Sequence, residues 1–171
     1  MKIMAIETTL VMVKPEAFDK RNEILARFDG IGRRVRKVVV PYVSAEEITE
    51  HYREPIQRYG EWLREATKLH FVGQPIVLAL YEGENMIKKA RDLLGPTDPS
   101  IALKGTIRGD YSRDKLGDAM DEGRVVNNVA HASANEEEFR YELSVWRRHF
   151  PGFQNYAASA CAKEDKETFK L

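Results

Sequence analysis

The run Pro75-Ile-Val-Leu-Ala-Leu-Tyr81 constrains this chain more than any other feature. It is apolar at every position, short, and followed by Glu82-Gly83, so it reads as a strand covered on both faces. A strand of that kind belongs inside a layered sheet-and-helix domain. Thr8-Thr-Leu-Val-Met-Val13, stopped by Lys14-Pro15, has the same character, and Val35 to Val43 is a second β-branched run. Val125 to His131 reads as the last short strand.

Helical signals alternate with these runs. Ile24, Leu25 and Phe28 stand at helical spacing in 20–29, which Gly30 closes. Ser44 followed by Glu47 is a capping box opening a helix through Gln57. Glu61 to Leu69 is another short helix. Asn85 to Leu94 ends at Gly95-Pro96, and Asn135 caps a helix through Arg148. Between them, Gly95 to Arg124 carries five glycines and two prolines, a long loop of the functional or mobile kind. Strands separated by helices define a single-sheet α/β sandwich with strand direction left open.

The 171 residues make one domain over 1–150 and a C-terminal tail over 151–171. Lysines plus arginines equal aspartates plus glutamates at 27 each, which argues against a general nucleic-acid binder. The cluster Arg33-Arg34-Val35-Arg36-Lys37 is the one basic patch, and it reads as a solvated strand flank. Cys161 is alone, which excludes an internal disulfide and a thiolate zinc site. No apolar run reaches the roughly 18 residues of a membrane span. Met1 to Val13 contains Glu7 and lacks a cleavage-like end, so it is not read as a signal peptide. The expected compartment is the cytoplasm.

The chain has no P-loop, no dinucleotide fingerprint and no nucleophile elbow. Its histidines, at 51, 70, 131 and 149, form no metal-binding pair, so no metal ligands are assigned. What remains is a polar set at strand and loop ends: Lys14, Arg91, Thr97, Arg108, Asn128, His131 and Ser133, with Glu142 on the following helix. Such a set suits phosphoryl transfer, where cations stabilise charge on phosphoryl oxygens and a neutral imidazole attacks phosphorus. Each member also has a bland role. His131 can be a hydrogen-bonded strand end, Lys14 a solvated edge charge, Arg91 a helix-end cation and Thr97 part of a turn. Asn128 can be a local backbone partner and Glu142 an exposed helix residue. His51, His70 and His149 read as structural or surface residues. Composition and spacing alone leave these alternatives open.

Six stretches, in order, decide between them. Val11-Met-Val-Lys-Pro-Glu16 resembles the opening strand of nucleoside diphosphate kinases. Ala45-Glu-Glu-Ile-Thr-Glu-His-Tyr52 resembles the family helix that ends in His-Tyr. Gln74 to Asn85 is similar to the central strand and turn. Ala90 to Pro99 and Lys104 to Tyr111 are similar to two further segments, and Asn128-Val-Ala-His-Ala-Ser133 resembles the active-site run Asn-x-x-His-Gly-Ser. The likeness runs from residue 8 to Trp146.

This resemblance implies an α+β, ferredoxin-like sandwich: a four-stranded antiparallel sheet with helices packed on it. It implies a ping-pong transfer of a γ-phosphoryl group from a nucleoside triphosphate such as ATP to a nucleoside diphosphate, with Mg²⁺ held mainly by the nucleotide phosphates. His131 is then the nucleophile, oriented by Ser133 and Glu142. Lys14, Arg91, Thr97 and Arg108 contact phosphates, Asn128 and Lys14 the ribose, and Tyr52 packs against the site. Counting back from Pro75 puts Leu63 at the family's base-stacking position, with Tyr59 and Trp62 nearby. Self-association into tetramers or hexamers built from dimers is implied too, and neither a membrane nor a specific nucleic acid is expected as partner. Departures are Ala132 and Ala134 for a glycine and an aspartate, and Lys104 for a proline. About ten extra residues lie between Asp110 and Asn128, a loop difference cheap to accommodate. Glu54 is the remaining acidic candidate for contact with magnesium. A nucleotide-binding regulatory module without turnover is the alternative function.

Overall fold

The computed structural model describes residues 5–153. Four strands form one sheet: β1 (Ile6–Val13), β2 (Arg33–Val40), β3 (Ile76–Glu84) and β4 (Ala130–Ala132). Their spatial order is β2-β3-β1-β4 and every pairing is antiparallel, which is the expected ferredoxin-like arrangement. Helices α1 (Arg21–Asp29), α2 (Ala45–His51), α3 (Arg53–Tyr59), α4 (Glu61–Phe71), α5 (Met86–Leu94), α6 (Ile107–Tyr111), α7 (Leu116–Asp121) and α8 (Glu136–Val145) connect and cover it.

Alternation along the two central strands explains their continuous apolar sequences. Val11, Val13, Val77, Ala79 and Tyr81 point to one face, where Ile24, Leu25 and Phe28 of α1 and Met86, Ala90 and Leu94 of α5 meet them. Leu10, Met12, Ile76, Leu78 and Leu80 point to the other, against Ile48, Phe71, Phe139, Leu143 and Trp146. Each fully buried aliphatic side chain stabilises by about 1.5–3 kcal/mol, so both layers are anchored through β1 and β3.

Several boundaries differ from expectation. The helix opened by Ser44 does accept the Glu47 amide on its cap, but it breaks at Tyr52, whose backbone (φ −96°, ψ 22°) leaves the helical region. Position 95–124 is not a bare loop: it holds a 3₁₀ turn at Pro99–Ile101 together with α6 and α7. Gly109 permits that fold, since a Cβ there would lie 2.1 Å from the Leu103 carbonyl oxygen. The basic cluster lies within β2 itself, where Arg33 pairs with Glu82 and Arg34 with Asp29.

The largest correction concerns the last strand. Val125 to Val129 does not pair, and β4 starts only at Ala130. Val129 sits at φ +64°, strained for a β-branched residue, and the Ala130 amide donates to the Asn128 carbonyl at 2.8 Å across it. This tight turn swings Asn128 away from the sheet while His131 stays on it. The last helix ends at Val145, and a 3₁₀ turn follows at Arg147–His149. Cys161 and the tail beyond Phe153 lie outside the described residues.

Candidate active site

His131 is the middle residue of β4, opposite Met12 of β1. Its Nε2–H donates to Glu142 Oε1 at 2.5 Å. The other carboxylate oxygen of Glu142 accepts from Ser133 Oγ at 2.6 Å, and Ser133 Oγ accepts the Leu10 amide at 3.2 Å. Glu142 is on α8 and 1% exposed, so this chain of bonds is fixed by the packing of α8 on β1. With Nε2 engaged, Nδ1 is the ring nitrogen left for chemistry.

Around the imidazole three cations converge. Lys14 follows β1 and its Nζ donates to Asn128 Oδ1 at 2.6 Å, while Asn128 Nδ2 donates to the Thr97 carbonyl at 2.9 Å. Arg91, from α5, donates to the Ala132 carbonyl at 3.2 Å. Arg108, from α6, donates to the carbonyls of Asn128, Gly95 and Ala130 at 3.2, 3.0 and 2.9 Å. Those three bonds use three of its five N–H groups and leave two for a substrate. Lys14, Arg91, Thr97, Arg108, Asn128, His131 and Tyr52 all line one open cleft of about 720 Å³. Ser133 and Glu142 support it from below. Leu63, on α4, does not line it, and neither do Tyr59 or Trp62.

Electrostatics follow from this crowding. Burial holds the His131 imidazole down to about 3, with Glu138 opposing and Arg108, Lys14 and Arg91 adding to the effect, so the ring is neutral at pH 7. Burial lowers Lys14 to about 8 and Arg108 to about 10. Burial raises Glu142 above the usual carboxylate range. A buried base without its proton beside cations is an activated nucleophile of the kind that functional sites are built to hold.

Two site residues escaped the sequence reasoning. His51, expected to be structural or at the surface, lines the cleft, its ring edge-on to His131 with centroids 4.7 Å apart. Its Nδ1 accepts the Trp146 indole N–H at 3.2 Å, which leaves the proton on Nε2, a buried donor without a hydrogen-bond partner among the described residues. His51, His131 and Glu142 lie close enough together to hold a metal ion, but a protonated Nε2 is not a ligand, so this trio does not fit one. Glu138, also in the cleft, is the second omission. The available signals were the adjacency of His51 to Tyr52 and the one-turn spacing of Glu138 from Glu142. Of the other histidines, His70 bonds Glu16 at 2.7 Å and His149 bonds Glu47 at 2.9 Å, both away from the cleft.

Fold and site together define an enzyme of the phosphoryl-transfer class. The family model for nucleoside diphosphate kinase matches residues 7–151. Nucleoside diphosphate kinases of Pyrobaculum aerophilum and Paracidovorax citrulli are 32% and 33% identical, over 85% and 90% of this chain and 97% and 99% of theirs. A solved structure of the Borrelia burgdorferi enzyme, a transition-state mimic with bound vanadate and ADP, superposes with a TM-score of 0.77 at 26% identity, covering 89% of this chain and 98% of that one. The chain belongs to the nucleoside diphosphate kinase family. No helix among the described residues is long and apolar enough to cross a membrane.

Proposed function

We propose that this enzyme moves the γ-phosphoryl group of a nucleoside triphosphate onto His131 Nδ1 and from there onto a nucleoside diphosphate. The observation that carries it is the neutral imidazole fixed by Glu142 and Ser133 at the floor of a cleft that gathers Lys14, Arg91 and Arg108.

In the first half-reaction the Nδ1 lone pair forms a bond to phosphorus while the bond to the β-phosphate oxygen breaks, and the diphosphate leaves with that electron pair. The ring becomes cationic, and Nε2–H shares the charge with the Glu142 carboxylate. The three cations offset charge on the phosphoryl oxygens. The second half-reaction reverses these steps with a new diphosphate. Asn128, bound to both Lys14 and Thr97, orients the sugar and phosphates together. Magnesium favours oxygen ligands and retains waters, and Glu54, Glu137 and Glu138 give the cleft a carboxylate side that suits a phosphate-bound ion. When bound, the ion neutralises charge developing between the β- and γ-phosphates.

A cytoplasmic, self-associating enzyme completes the proposal. Cys161 is the sole thiol, and Ile101 and Leu103 expose apolar side chains on the segment after α5 that suit contact with a second copy. Incubation with ATP is expected to give an acid-labile, alkali-stable phosphoenzyme and a transfer to GDP, both lost in His131→Ala. Undiminished turnover in that variant, or a stable serine phosphate, contradicts the proposal. Binding of ATP without transfer supports the regulatory alternative, which only the substitution at Ala134 and the longer loop favour.

A further inference from the structure

Two carboxylates of the cationic cleft, Glu137 and Glu138, have no lysine or arginine partner among the described residues, and of these two only Glu138 is held in place by a hydrogen bond to its side chain. Glu54, farther along the rim, is paired with Arg58. Glu138, third residue of α8, is paired with no lysine or arginine among the described residues. It is held by a backbone amide instead: Ala134 N–H donates to its Oε2 at 2.6 Å. One helical turn on is Glu142, the buried carboxylate that holds His131. The charge of Glu138 also reaches the imidazole, where it opposes Arg108, Lys14 and Arg91.

A glutamate at the third helical position often reaches back to the amides that open a helix, and that role needs only an oxygen acceptor. Asn135 already caps α8 by accepting the Glu138 amide at 2.8 Å. A cap does not account for a charged group placed in a phosphate cleft beside a second carboxylate. Facing an incoming phosphoryl group directly, Glu138 repels it. With a divalent ion between them the sign reverses, and a hard ion that keeps its waters can be reached through one of them.

Given that the cleft binds nucleotide phosphates as proposed above, we propose that Glu138 is the residue through which this enzyme recognises the divalent cation on those phosphates. It makes the magnesium complex, rather than the free nucleotide, the species bound. Glu138 is thus a specificity-determining residue and does not take part in bond making.

Calorimetric titration with β,γ-imido-ATP, which cannot transfer its phosphoryl group, tests this in excess Mg²⁺ and in EDTA. The wild type is expected to prefer the magnesium complex by about tenfold or more. Glu138→Gln keeps the acceptor for the Ala134 amide and loses the charge, so its thermal midpoint is expected to stay unchanged. Its preference is expected to collapse towards unity, with free nucleotide bound more tightly and the magnesium complex less tightly than in the wild type. Glu138→Ala is expected to shift the preference in the same direction whatever it does to the cap. An unchanged preference in both variants overturns the role of Glu138. A wild type that binds neither form overturns the nucleotide-binding function itself.

Discussion

The floor of the cleft and its wall are held by different forces. The floor is His131, Ser133 and Glu142, carried on β4 and α8, and its position follows from apolar packing of both elements on β1. The wall is the excursion from Gly95 to Val129, which no long strand or helix spans. It is held by side chains bonded to backbone: Arg108 to three carbonyls, Asn128 to Thr97, and Asp114 to the amides of Lys115 and Asn127. Packing is insensitive to pH and to single charges, whereas polar bonds are not. The nucleophile is therefore the fixed part of the site, and Arg108 and Asn128, which the wall carries, are the tunable part.

Substitutions can break this contrast from either side. The largest loss of rate is expected from Glu142→Gln in the floor, a fall in kcat of about 10²-fold or more, since the ring loses its charged partner. Stability should not follow. Burial raises the pKa of Glu142, so stability from its neutral form is lost as pH rises through the folded value. A glutamine has no such loss, and its thermal midpoint at pH 8 is expected to equal or exceed that of the wild type. A midpoint well below wild type would show that Glu142 holds the fold as well as the ring.

Arg108→Ala acts on the wall and is expected to reverse that pattern. It strips three carbonyls of their donor, so denaturant titration should show a loss of about 2–4 kcal/mol. The rate falls as well. Next in size is a pH effect at Lys14, lowered to about 8 by burial. As pH rises through that value the protonated amine is lost, and kcat/KM for nucleotide should decline along a single ionisation. Lys14→Arg should remove that decline. Free-enzyme stability should move the opposite way, rising between about 8 and the ordinary value of 10.5, because the unfolded chain binds the additional proton there. The smallest effect is expected from Arg124→Ala. Arg124 donates to both Asp114 oxygens, at 2.6 and 2.9 Å, but it is partly exposed. Its loss should change stability by about 1 kcal/mol or less and leave turnover intact.

The same division explains what could be foreseen. The apolar runs at 8–13 and 75–81 and the capping signals at Ser44 and Asn135 report directly on packing, so both central strands and the flanking helices were legible. Strand direction was not, because a strand buried on both faces reads alike in parallel and antiparallel sheets. Antiparallel order came only from family likeness. Val125 to His131 looked like a strand because Val125, Val126 and Val129 carry β propensity, yet the turn at Val129 and the bonds to Glu16 and Lys14 override it. His51 and Glu138 were overlooked for a related reason. Their importance lies in contacts across the fold, and neither residue is unusual in its own helix.

The central claim is that Glu142 holds Nε2 and so directs the phosphoryl group to Nδ1 of His131. A ³¹P–¹⁵N correlated NMR spectrum of the phosphoenzyme formed from ATP tests it most directly. Phosphorus coupled to Nδ1, with Nε2 still bearing its proton, is the expected result. Coupling to Nε2, or phosphate on Ser133 oxygen, would contradict it.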